Sequence, residues 1–168
     1  MFSILNITIL AFVLTVAAID LQSRKVPRVL TTVAFFSGIL YHTLAGGILS
    51  AMAAALAGFL FGVLLFRAGA IGGGDVKLAT ALGALLGWAL WLRAMYIAIL
   101  AAAAIAVLLA LYKGVLRQTL RNALTVITSL PQRGLNAHTE IHVKNPRLVR
   151  APFGIAAAIG TIAALVRV

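Results

Sequence analysis

The sequence predicts an all-α membrane protein, a bundle of about six transmembrane helices that carries a cytoplasmic amphipathic helix and loop. Hydrophobic residues make up 63% of the 168 residues and charged residues only 10%, whereas roughly a quarter of the residues are charged in ordinary soluble domains. The apolar residues form long runs, and most of the basic residues stand between those runs. We therefore expect a single membrane-embedded domain over residues 1–168, with a basic cytoplasmic loop at 113–150.

The predicted spans follow from the lengths of these runs. A helix that crosses about 30 Å of hydrocarbon needs roughly 20 apolar residues. Six stretches approach that length, at residues 2–19, 29–45, 48–66, 75–92, 94–112 and 151–166. The first stretch has no basic residue ahead of its apolar core and no clear cleavage site, so we interpret it as a retained helix rather than a secretory signal.

The distribution of basic residues predicts the orientation. With six crossings and the N-terminus outside, only Arg93 and Arg167 of the 14 Lys and Arg residues remain outside. This arrangement fits the positive-inside rule. Trp88 and Trp91 then lie near an outer helix end, where we interpret them as an aromatic belt. His42, also near an outer end, is interpreted as a packed or interfacial side chain.

Two further patterns concern packing and the membrane surface. Gly58 and Gly62, like Gly83 and Gly87, are four residues apart, a spacing that lets helices approach closely in lipid. Packing within one chain is favoured, and a homodimer is left open. Residues 113–150 begin with a basic amphipathic pattern that suits a helix on an anionic inner leaflet, followed by loop-forming residues.

Composition excludes several classes of function. The formal net charge is +11, yet the basic residues form no continuous stripe, which argues against a nucleic-acid partner. The chain has no cysteine, which excludes disulfides, cysteine-ligated metals and thiol nucleophiles.

The chain has only three acidic residues: Asp20, Asp75 and Glu140. Asp20 ends the first apolar stretch and Asp75 opens the fourth, so the predicted topology places both at the same cytoplasmic depth. Two close carboxylates share a proton, and such a pair can activate water and protonate a peptide carbonyl, as in aspartic proteolysis. The structural alternatives are a pairing of Asp20 with Arg24 and a role for Asp75 as a helix N-cap residue.

The glycines before Asp75 support a catalytic interpretation. Gly72, Gly73 and Gly74 lack side chains, so a substrate backbone can approach there and the chain can turn sharply. Asp75 lies at a helix N-terminus and Asp20 at a helix C-terminus. Because the helix dipole favours negative charge at the N-terminus, our hypothesis is that Asp75 is the ionised base and Asp20 the protonated acid, although Arg24 acts against this assignment.

At these residues the sequence resembles the type IV prepilin peptidases, which are membrane aspartic proteases with a GxGD signature. Gly72, Gly74 and Asp75 match the signature, and Lys77 continues it. "DLQSRKVPR" is similar to the family's first motif, with Arg28 in place of the usual Asn. "RAPFGIAAAIG" is similar to its closing motif. The motif residues outside the GxGD segment are Arg24, Pro27, Pro152, Phe153 and Gly154.

The resemblance implies that Asp20 and Asp75 are the catalytic pair and that Gly72, Gly73, Gly74 and Lys77 form the active-site loop. It implies a prepilin or pseudopilin substrate whose short basic leader is removed at the cytoplasmic face of the bacterial inner membrane, without a cofactor or metal. Longer relatives carry a cysteine-containing insertion and methylate the new N-terminus. This chain resembles the short form associated with tight-adherence (Flp-type) pili, so we expect cleavage without methylation.

Two other functions are weighed against this one. His138 and His142 flank Glu140 at a spacing that could ligate zinc, but the metalloprotease pattern requires the Glu directly after the first His. A small transporter or pilus-assembly scaffold could use the aspartates for ion coupling or packing. Transport favours acids near mid-membrane, whereas these lie near one face.

Overall fold

The computed structural model describes residues 4–23, 26–121 and 152–166, and this part of the chain is helical without strands. The helices are α1 Ile4–Ser23, α2 Arg28–Leu44, α3 Ile48–Arg67, α4 Gly73–Tyr112 and α5 Phe153–Val166. In these residues α1, α3 and α4 are long and apolar enough to cross a membrane, while α2 has 17 residues and α5 has 14. The expected class, an all-α membrane protein, is confirmed.

The 40-residue helix α4 bends sharply at Gly87. This residue has φ 68° and ψ 176°, a conformation open essentially only to glycine. Beyond the bend, the indole N–H of Trp91 donates to the carbonyl oxygen of Ala79 at 3.3 Å. In a straight helix these residues would be about 18 Å apart along the axis, beyond the reach of an indole, so the chain turns back toward itself.

This bend corrects the predicted boundary between the fourth and fifth spans. The sequence placed the break at Arg93, which has the only charged side chain in that region, whereas the structure keeps Arg93 within the helix and breaks at Gly87. The reason is conformational: glycine can adopt the positive φ that the bend requires. The spacing of Gly83 and Gly87 had indicated only that Gly87 lets helices approach closely.

The end of α2 and the start of α3 contact the bend. Ser50 Oγ accepts the backbone N–H of Trp88 at 2.8 Å, and the Nε2 of His42 lies 3.2 Å from the carbonyl oxygen of Leu85. A sharp bend interrupts the backbone hydrogen bonds of a helix, so polar side chains are needed there. His42 is therefore packed, in agreement with its sequence interpretation.

The aromatic-belt prediction is wrong for Trp91. Its side chain is only 4% exposed, whereas that of Trp88 is 44% exposed. The bend at Gly87 turns Trp91 inward onto the first half of α4, where the carbonyl oxygen of Ala79 satisfies its polar N–H.

Small residues set the helix spacing, as the four-residue glycine pattern predicted. A Cβ at Gly58 would lie 2.5 Å from the carbonyl oxygen of Ala79, and one at Gly62 would lie 3.0 Å from the Cα of Val76. Residues later in α3 contact residues earlier in α4, so the two helices run antiparallel. Backbone contact of this kind is what small residues permit in lipid.

The second half of α4 packs against α5 in the same way. Gly160 faces Ala94 and Ala98, where a Cβ would collide with the α4 backbone. Through this contact the short helix α5 is held beside both α4 and α1. The start of α5 thereby meets the end of α1, which is where the candidate site lies.

Candidate active site

Asp20 lies in the last turns of α1 and continues its buried face. Ile9, Val13 and Val16 precede it at helical spacing and are each 1% exposed, while Asp20 is 6% exposed. A buried carboxylate requires hydrogen-bond partners. The backbone N–H of Gly154 donates to Oδ2 of Asp20 at 2.8 Å. The acid is thus held by α5, 134 residues further along the chain.

Gly154 is required sterically at this contact. A Cβ at that position would lie 2.8 Å from both Cβ and Oδ2 of Asp20, closer than non-bonded carbon atoms tolerate. Gly154 is in the first turn of α5, where backbone N–H groups have no partner within the helix. One such free N–H therefore reaches the acid. Sequence reasoning singled out Gly154 as a motif residue but did not find this role.

Asp75 lies in the first turn of α4 and is partly buried. Its Oδ2 accepts the backbone N–H of Gly72 at 2.9 Å. This bond satisfies one of the free donors at the helix start. Asp75 is therefore not the N-cap residue, the structural alternative weighed for it: Gly72 is the N-cap, and Asp75 accepts its N–H from three residues further on. One oxygen makes this bond, so capping does not use the whole carboxylate.

The two acids, 55 residues apart in sequence, lie at the same end of the bundle. A Cβ at Gly74, the neighbour of Asp75, would lie 3.8 Å from Cβ of Val26, in the segment that follows α1. The start of α4 therefore packs against the segment just beyond the end of α1, and both acids lie at this end of the bundle.

Helix α5 changes the helix-dipole environment of Asp20. The sequence hypothesis set Asp20 at an unfavourable helix C-terminus. In the structure, however, Asp20 also accepts a backbone N–H from the N-terminal turn of α5, just as Asp75 accepts one at the start of α4. Both carboxylates therefore lie where the helix dipole favours negative charge. Polarity does not distinguish the base from the acid.

An open groove of about 380 Å³ lies beside Asp75. It is lined by Val26, Arg28, Gly72, Gly73, Gly74, Asp75 and Lys77. All the loop residues predicted from the GxGD segment are among them. At Gly73 and Gly74 an added Cβ would meet nothing closer than 3.8 Å, so close packing does not require glycine there, and the absent side chains leave the groove open.

Arg28 is a lining residue that sequence reasoning did not propose for the site. In the motif resemblance, Arg28 is distinguished only by replacing the usual Asn. Both Arg28 and Lys77 are exposed, so their cationic groups are accessible to a bound ligand. The departure from the motif was the available signal.

The remaining motif residues position the helices around the site. Pro27 is the N-cap residue of α2, with φ −61° and ψ 133°. Pro152 directly precedes α5, and Phe153, its first residue, packs against the core. Arg24 lies outside the described residues.

The candidate zinc ligands His138 and His142, and Glu140 between them, also lie outside the described residues. Within the described ranges, no group of three or more metal-ligating side chains is found. A helical stretch occupies 116–121, where Arg117 is exposed. Residues 122–150 of the predicted surface helix and loop are not among the described residues.

The fold and site thus define a helical membrane protein with two acids at one end of the bundle, one of which, Asp75, lines a glycine-rich groove. The model of the type IV leader peptidase family matches residues 7–110 of the chain, a segment that contains both aspartates and the whole groove. The chain belongs to this family. No curated protein matches the chain significantly, and no solved structure does.

Proposed function

We propose that this type IV leader peptidase is an aspartic endopeptidase of the GxGD class, with Asp20 and Asp75 as its catalytic pair. The observation that carries the proposal is the placement of the two acids at one end of the bundle, where Gly154 of α5 donates to Asp20 and Gly72 donates to Asp75 beside the groove. Two neighbouring carboxylates hold one proton more readily than none. That protonation state suits acid–base catalysis on a peptide bond.

In the proposed reaction the ionised carboxylate takes a proton from water as the water oxygen attacks the scissile carbonyl carbon. The protonated carboxylate donates its proton to the carbonyl oxygen, forming a gem-diol. When the C–N bond breaks, a diol proton returns to one carboxylate and the departing amine takes the proton held by the other. The products are a leader carboxyl group and a free amine, and the pair again holds one proton.

The substrate we propose is a prepilin of the Flp type, cleaved on the cytoplasmic side of the bacterial inner membrane without subsequent methylation. The cytoplasmic placement rests on the positive-inside arrangement, in which Arg28, Lys77 and both acids share one end of the bundle. The Flp specificity and the lack of methylation rest on the resemblance to short, cysteine-free forms. The N-terminus is then outside, and a basic leader approaches from the inner leaflet.

Co-expression with a candidate Flp-type prepilin tests the catalytic pair. We expect the native chain to remove the leader and both Asp20→Asn and Asp75→Asn to leave it uncut, because Asn preserves size but cannot ionise. Glu140→Gln is the matched control, since it removes the third acid of the chain, and it is expected to process normally. Full processing by either aspartate variant would refute the assignment.

Two readouts of the same experiment test the finer claims. Loss of processing in each of the single variants Glu140→Gln and His138→Ala would favour the metal hypothesis instead. Mass measurement of the mature pilin tests methylation, for which an unmodified N-terminal amine is expected. A methylated N-terminus formed by this chain would contradict that part of the proposal.

A further inference from the structure

Helix α2 is shorter than an ordinary bilayer is thick. It has 17 residues and is therefore about 25 Å long, whereas the hydrocarbon core of a bilayer is about 30 Å thick. Neither end can be extended: Pro27 precedes the helix, and the residue before a proline is kept out of the helical conformation. At the other end Gly46 has φ 75°, which ends a right-handed helix. Tilting would only shorten the span that α2 covers.

The short helix faces lipid along its whole length. Five of its apolar side chains are more than half exposed and recur every three or four residues, so they form one stripe on the helix. The stripe consists of Val29, Val33, Phe36, Leu40 and Leu44. It is about 22 Å long, while the opposite face of the helix is buried at Thr31, Ala34 and Gly38. The lipid beside α2 therefore meets an apolar surface shorter than its own hydrocarbon region.

Helix α2 runs parallel to the first part of α4, which fixes the level at which it begins. Near the start of both helices, Arg28 and Lys77 line the same groove. Further along, a Cβ at Gly38 would lie 2.6 Å from the carbonyl carbon of Ala84. Counting back along both helices from this contact places Arg28, the first residue of α2, level with Gly74.

Helix α3 extends further than α2 toward the end of the bundle that holds the two acids. It runs antiparallel to α4, and a Cβ at Gly62 would lie 3.0 Å from the Cα of Val76. Counting on from this contact places Arg67, the last residue of α3, level with Ile71. The distance from this level to that of Gly74 is about 5 Å. The difference in length between α2, with 17 residues, and α3, with 20, is the same.

We infer that the exposed stripe of α2 thins the bilayer on its side of the bundle by about 5 Å relative to the bilayer beside α3. Because the two helices differ at the end that holds the acids, the thinned leaflet is the one at that end. The boundary between lipid and water is thereby brought to the level of Asp75. The inference deepens the proposed function, on which only its consequence rests: a peptide bond at the end of a substrate's membrane segment meets the acids and water at one depth.

Single cysteines measure where water begins on each helix, since the chain has no cysteine of its own. Val29→Cys on α2 and Leu64→Cys on α3 are exposed positions, and the same contacts place both level with the start of α4. A membrane-impermeant maleimide, present on both sides of dioleoyl-phosphatidylcholine vesicles, should label Val29→Cys on the order of tenfold faster than Leu64→Cys, because it reacts with thiolates in water. Phe36→Cys, midway along the stripe, should be protected, and Lys113→Cys, beyond the end of α4, should be labelled.

Vesicles of different chain length separate thinning from other causes of labelling. Labelling of Val29→Cys should be faster in dimyristoleoyl- and slower in dierucoyl-phosphatidylcholine than in the dioleoyl lipid, because a thicker bilayer covers more of the helix end. Equal rates in all three lipids would show that the thiol is reached through the neighbouring groove, which refutes the inference. Equal labelling of Val29→Cys and Leu64→Cys would show a bilayer of uniform thickness, with the long side chain of Arg28 reaching its surface, and also refutes it.

Leader cleavage by the native chain, with a Flp-type prepilin in the same vesicles, tests the consequence. We expect cleavage on the order of threefold slower in the dierucoyl than in the dioleoyl lipid, because a thicker bilayer resists thinning. If the labelling pattern appears but no leader is removed in any lipid, the peptidase assignment fails and the thinning stands. If cleavage is equally fast in all three lipids, the thinning has no part in the reaction and that consequence is refuted.

Discussion

The backbone N–H of Gly154 donates a hydrogen bond to Oδ2 of Asp20 at 2.8 Å, and this contact connects the last helix to the first. The donor is a backbone N–H in the first turn of α5, which has no partner within that helix, and the acceptor is a buried acid. The contact also requires glycine at position 154, because a side chain there would collide with the acid. The short helix α5 therefore completes a site whose other described residues come from α1, α4 and the start of α2.

Gly154→Ala is expected to displace Asp20. The added Cβ would lie 2.8 Å from two atoms of the acid, and overpacking of this kind costs about 1–3 kcal/mol of stability. If Asp20 is catalytic, a shift of about 1 Å lowers leader cleavage on the order of a hundredfold. Cleavage and thermal unfolding in detergent measure the two effects. Ile159→Ala, on an exposed side of the same helix, should retain activity, and equal losses in both variants would contradict this account.

A disulfide between Val26→Cys and Gly74→Cys should form readily. The two Cβ positions are 3.8 Å apart, the usual separation in disulfides, and the chain has no other cysteine to compete. Protection of both thiols from maleimide labelling after mild oxidation, reversed by reductant, is the measurement. Val26→Cys with Gly73→Cys is the control, because Gly73 faces Phe66 instead. Efficient crosslinking of only the control pair would show that α4 starts in another register.

Gly87→Ala should destabilise the protein more than Gly114→Ala. Both glycines have a positive φ, of 68° and 67°, but a Cβ at Gly87 would also lie 3.1 Å from Ser50 Oγ, whereas one at Gly114 would meet nothing within 4 Å. Backbone strain alone costs about 1–3 kcal/mol, and crowding adds to it at the bend. Thermal unfolding of the two variants measures the difference, and equal Tm values would refute the bend.

The two tryptophans provide a test of the bend that does not depend on activity. Trp88→Phe leaves only the buried Trp91, and Trp91→Phe leaves only the exposed Trp88. In vesicles of brominated lipid, the fluorescence of Trp88 should be strongly quenched and that of Trp91 largely protected. Similar quenching of both would restore the aromatic-belt interpretation of Trp91. Trp91→Phe should also cost about 1 kcal/mol, because it removes the hydrogen bond to Ala79.

Local sequence patterns were sufficient to predict the membrane class, the approximate positions of most helices and the acidic and glycine residues of the candidate site. These predictions follow from local properties, because the length of an apolar run can be compared directly with the thickness of the bilayer. Acidic residues are so few in this chain that Asp20 and Asp75 are conspicuous. The glycine spacing likewise predicted close packing of α3 and α4, because it depends only on helical periodicity.

Which residues contact each other across the bundle depends on the tertiary structure. The Gly154 contact joins residues 134 positions apart, so no local pattern reveals that Asp20 receives a helix N-terminal donor, and the polarity argument based on α1 alone omitted it. The bend at Gly87 is a backbone conformation that glycine permits but does not dictate, and it moved Trp91 from the expected interface into the core. Arg28 became a groove residue because the start of α2 packs beside α4, a neighbour relationship that sequence spacing does not encode.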